Sequence, residues 1–100
     1  MNPNKVDRTR VATLTDLPNV GKACAEDFRL LGIHQPGQLV SKCPFELYEL
    51  LCEKTVSRHD PCVIDVFMSV TRFIAGEEAR PWWNYTAERK RLLMQEGEHK

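Results

Sequence analysis

The sequence predicts an all-α fold, one compact domain of five to six helices. Three observations carry this. Apolar residues recur at helical spacing in successive segments, and proline and glycine punctuate those segments. No stretch alternates in the two-residue period of a strand. One hundred residues, 42% of them apolar, support a single core.

Residues 1–9 are polar and without apolar period, which predicts a flexible basic arm. Val11, Leu14 and Leu17 predict a first helix over 10–17, which Pro18 ends. A second helix is expected from Lys22 to Leu31, with Ala25, Phe28 and Leu31 on one face. Gly32 is its stop, and Ile33 is expected to fold back on Phe28. Pro36 and Pro44 suit the first turns of a third helix reaching Val40 and a fourth reaching Glu53. The fourth turns Leu47, Tyr48 and Leu51 inward and leaves Glu46, Glu49 and Glu53 as a solvated acidic side. The pair at 36–53 reads as a degenerate echo of the first hairpin.

Asp60-Pro61 starts the fifth and central helix, which Gly76 closes. Its apolar residues leave a polar stripe of Asp65, Ser69 and Arg72, read either as solvated or as an internal hydrogen-bond network. Pro81 to Tyr85, with Trp82 and Trp83, is expected to pack on the core, at least one indole folding back. The domain thus spans 10–85, and 86–100 is a charged C-terminal helix or tail.

The 14 basic and 14 acidic groups cancel, so attraction to nucleic acid or to anionic lipid has to be local. The middle of the chain is acidic and both ends are basic. No apolar run is long enough for a membrane span or a secretory signal, so no membrane contact and a cytoplasmic location are expected. Cys24, Cys43, Cys52 and Cys62 are expected to be reduced and mostly buried. Among Cys43, Cys52, His59 and Cys62, only His59 and Cys62 show zinc-ligand spacing, so neither metal nor cofactor is expected. No nucleophile-and-base or paired-carboxylate pattern is legible, so the chain reads as a binding module, not an enzyme.

The informative stretch is Leu14-Thr15-Asp16-Leu17-Pro18-Asn19-Val20-Gly21-Lys22-Ala23-Cys24-Ala25-Glu26-Asp27-Phe28. It resembles the helix-hairpin-helix pattern, apolar-Pro-Gly-apolar-Gly followed four on by alanine, with Leu17, Pro18, Val20, Gly21 and Ala25 in register. Only Asn19 departs, and Asn tolerates left-handed geometry best after glycine. Val20 would plug the helices together, Ala25 permit close approach, and Gly21 let the chain turn without a Cβ in the way. The resemblance implies that Asn19, Val20, Gly21, Lys22 and Ala23 grip a nucleic-acid backbone without reading bases. Lys5, Arg8 and Arg10 would be auxiliary basic contacts. The span Leu17–Tyr85, with Cys43-Pro44, Leu47-Tyr48, Asp65-Val66-Phe67 and Pro81-Trp82-Trp83, also resembles a small bacterial family labelled "pathogenicity locus". That family is similar to the C-terminal domain of the competence regulator TfoX. The rival reading is a protein-interaction or homodimerisation module acting through the aromatic tail or the acidic helix face.

Overall fold

The structure is a computed structural model that describes residues 2–98, with side chains through residue 95. Among these residues it is all helical. There are four α-helices: α1 Lys22–Leu30, α2 Pro44–Thr55, α3 Cys62–Ile74 and α4 Thr86–Glu98. Short 3-10 helices stand at Pro3–Lys5, Arg8–Arg10, Leu14–Asp16, Pro36–Leu39 and Trp82–Tyr85. The expected count of five to six is therefore corrected to four.

Both missing helices have local causes. The Asp16 carboxylate accepts the amides of Ala12 (3.0 Å) and Thr13 (2.9 Å), which starts the turn only at Leu14. Pro18 holds Leu17 in extended geometry, φ −74 and ψ 152. Three residues remain between those limits, enough for one 3-10 turn. Over 36–40 the Gln38 side chain accepts the amides of His34 and Gln35, and Ser41 turns left-handed at φ +64. That leaves room for a single turn as well.

The other helices form where the apolar period places them. Phe28 of α1 packs on Phe67 of α3, ring centroids 5.1 Å apart, and α2 adds Leu47, Tyr48 and Leu51. Each fully buried side chain of this kind contributes about 1.5–3 kcal/mol. Gly32 takes φ +82 and the Ile33 amide reaches the Phe28 carbonyl at 2.9 Å, the expected helix stop. α2 ends in the same left-handed geometry, but with Val56 at φ +50 and its side chain in water.

The polar stripe of α3 is an internal network. Asp65, with no exposed surface, accepts Arg89 Nε at 2.8 Å and the Thr86 hydroxyl at 2.7 Å. Ser69, equally buried, donates to the Val66 carbonyl and accepts Asn19. Arg72 pairs with Glu88 and, at 3.7 Å, with Glu77. The stripe thereby fastens α4 and the 17–21 turn to the central helix. The segment expected as a free arm also touches α3, since the Arg8 guanidinium lies 4.0 Å from the Phe73 ring and donates to the Phe73 and Glu77 carbonyls.

Two stability outcomes follow. Asp65→Asn leaves the Arg89 guanidinium buried without a counter-charge and should cost about 3–5 kcal/mol in urea denaturation, whereas pairing Asp65→Leu with Arg89→Leu should recover most of that loss. Val56→Gly removes a β-branched side chain from the left-handed region and should raise stability by about 1 kcal/mol. An unchanged or lower urea midpoint for Val56→Gly would contradict the strain at that position.

Candidate nucleic-acid interface

The corner between the Leu14–Asp16 turn and α1 holds the five residues singled out from the sequence. The Val20 amide reaches the Leu17 carbonyl at 3.4 Å and closes the turn. Leu17, Pro18 and Val20 are buried, and Ala25, with no exposed surface, lets α1 approach closely. Val20 and Ala25 are thus part of the core.

Asn19 takes the left-handed conformation at φ +64. Its side chain turns inward, where Nδ2 donates to Ser69 Oγ at 2.9 Å and to the Arg80 carbonyl at 2.7 Å. The departure from glycine thus has an internal reason, because the amide joins the hairpin to α3 and to the segment before Pro81. It also leaves the outer surface of the corner clear of the Asn19 side chain.

Gly21 differs from expectation. Its φ is −96, within reach of any residue, and a Cβ built on it meets nothing within 4 Å. Neither conformation nor packing inside the chain requires glycine there. Gly21, Lys22 and Ala23 are all exposed, and no side chain caps α1. The first intrahelical bond runs from the Ala25 amide to the Gly21 carbonyl at 3.0 Å, so the amides of Lys22, Ala23 and Cys24 point out of the helix start. That end also carries the positive pole of the helix dipole.

The auxiliary basic residues divide. Arg8 is engaged at the C-terminal end of α3, where it satisfies two carbonyls. Arg10 lies 3.7 Å from Asp7, and Lys5 is exposed in the first 3-10 turn. A further exposed cation, Arg80, is tied to the turn through its backbone carbonyl, which accepts Asn19 Nδ2. Reading the sequence missed it because the contact spans 61 positions. Three residues on, Trp83 is 62% exposed and stands edge-on to the half-buried Trp82, centroids 5.6 Å apart. Tyr85 supplies the buried anchor of that segment.

The cysteines are free, but their burial is lower than expected. Cys52 is buried, Cys24 and Cys62 are half-buried, and Cys43 is exposed because it caps α2 ahead of Pro44. Burial, aided by the charge of Asp27, pushes the Cys24 thiol up to about 12, which keeps it protonated and unreactive at neutral pH. Among the described residues no group of three or more His, Cys, Asp or Glu side chains has metal-holding geometry. His59 instead shares a 2.8 Å hydrogen bond with Thr55 Oγ1, and its carbonyl accepts the Tyr48 hydroxyl. No described helix is long and apolar enough to cross a membrane.

Residues 7–91 match the family described as "Pathogenicity locus". The chain belongs to that family. The pathogenicity-locus chain is 48% identical over 84 residues to the "Mitomycin resistance protein McrB" of Streptomyces lavendulae, an alignment covering 84% of this chain and 80% of that relative. No solved structure matches it.

Substitutions at two positions separate scaffold from surface at this corner. Asn19→Ala loses two hydrogen bonds and puts a Cβ-bearing residue without a polar side chain at positive φ, so it should cost about 2–3 kcal/mol. Asn19→Gly relieves the backbone and should cost about 1 kcal/mol less. Gly21→Ala should melt within a degree or two of wild type by circular dichroism, given φ −96 and the open space. A large loss there would mean that Gly21 is needed for folding.

Proposed function

We propose that this chain is a non-catalytic cytoplasmic module that grips a nucleic-acid backbone without sequence preference, through a helix-hairpin-helix corner at Asn19, Val20, Gly21, Lys22 and Ala23. The observation that carries this reading is Gly21, an exposed glycine for which the chain itself has no conformational or steric use. A phosphate pressed against the main chain supplies the missing reason, because a Cβ would hold its oxygens away from the amides of α1. Lys22 adds a full charge at the same end, and the exposed Arg80, whose backbone adjoins Asn19, is a second cation in reach of the chain turn. The resemblance to the TfoX C-terminal domain belongs to the same reading.

A neutral chain with so few local cations neutralises only a few phosphates. Affinity should therefore fall in the ~10⁻⁴ to 10⁻⁶ M range of non-specific binding and decline steeply with salt. Fluorescence anisotropy with duplex, junction and single-stranded oligonucleotides at low salt tests this. Lys22→Glu should weaken binding by about tenfold while the melting temperature holds, since the dipole favours a carboxylate in the first turn. No binding by wild type to any of these, or full binding by folded Lys22→Glu, would reduce the hairpin to a structural joint.

The name of the Streptomyces relative supports a cellular role in mitomycin resistance for this chain too. Survival of mitomycin-treated cells expressing wild type, compared with cells expressing Lys22→Glu, connects that role to the hairpin.

A further inference from the structure

A second surface lies on α2 and α4 and is made of different chemistry. At its centre on α2 is Leu50, 44% exposed, with Glu46 one turn earlier, Glu49 beside it and Glu53 one turn later. The exposed side of α4 carries Leu93 and Met94, the latter 69% exposed, with Lys90 one turn before Met94 and Arg91 three residues before it. Around Leu50 three carboxylates outnumber one cation, Lys54 one turn later, whereas the apolar centre of α4 stands among cations. Leu50, Glu46 and Glu53 of α2 and Leu93 of α4 line one groove of about 850 Å³, so the two helices adjoin there, and Lys90 stands one turn before Leu93.

We propose that a second copy of this chain covers this face, forming a two-fold symmetric dimer in which α2 of each protomer packs on α4 of the other. Symmetry and charge together select this occupant. A half-turn about an axis that lies in the plane of the face and runs between the two patches lays the acidic patch of one protomer on the basic patch of its partner, and does so twice. Leu50, Leu93 and Met94 are then withdrawn from water, and Glu46 and Glu53 face Lys90 and Arg91. Glu49 remains with Arg58, 3.1 Å away within its own chain. None of these residues belongs to the corner at 19–23, so the dimer stands independently of the nucleic-acid reading.

The test is the mass of the full chain by sedimentation across the micromolar to millimolar range, in wild type and in two charge-reversal variants. Wild type should approach twice the chain mass as concentration rises. Glu46→Lys with Glu53→Lys makes both patches positive, and Lys90→Glu with Arg91→Glu makes both negative. Each variant should raise the dissociation constant by about tenfold or more. Mixing the two should restore association as a heterodimer, because every α2–α4 contact is then of opposite sign. All four positions are exposed, so circular dichroism should show both variants folded. Leu50→Asp, an apolar-to-acidic change at the centre, should also be monomeric. Wild type that stays monomeric throughout, charge variants that dimerise like wild type, or a mixture that fails to associate would each overturn the dimer.

Discussion

The Asp65 carboxylate has no exposed surface, and an ionised carboxylate out of water is tolerated only with a charged, hydrogen-bonding partner. The segment that brings the partner is the one from Thr86 to Arg89, so the position of α4 is decided by a polar requirement of α3. Two further residues of the same stripe act in the same way. Ser69 receives Asn19 and seats the hairpin, while Arg72 reaches Glu77 and Glu88 on either side of the aromatic turn. The apolar core of α1, α2 and α3 supplies most of the burial, and the stripe selects how the remaining segments dress it.

Much of the fold was legible in the sequence because the deciding interactions are local. The apolar periods of α1, α2 and α3 and the glycine after α1 need only neighbours within a turn or two. The Leu14–Asp16 turn was misread as a helix because Val11, Leu14 and Leu17 have helical spacing, while Asp16 and Pro18 compete for the same backbone from both sides. The docking of Arg8 and the inward turn of Asn19 lay beyond reading, since their partners stand 65 and 50 positions away. At the candidate interface the turn at Pro18 and the start of α1 at Lys22 were legible. The reason for each residue was not: Asn19 serves the interior and Gly21 does not.

Net neutrality conceals a segregated surface. Lys22 and Arg80 mark the hairpin corner, Glu46, Glu49 and Glu53 one face of α2, and Lys90 and Arg91 the exposed side of α4. A potential summed over the whole molecule averages these away, yet at ordinary ionic strength each is felt within about 8–10 Å and little beyond. Each patch therefore addresses its own neighbourhood.

The stripe on α3 also bears on the order of events at the ribosome. Arg8 emerges long before the Phe73 carbonyl it binds, and Asp65 emerges 24 positions ahead of the guanidinium that balances it. Until Arg89 arrives, the carboxylate has to stay hydrated, which keeps α3 from settling fully among its neighbours. Closure of the domain accordingly waits until Arg89 has been made. A nascent chain stalled before α4 would present an open α3 face to proteases and chaperones.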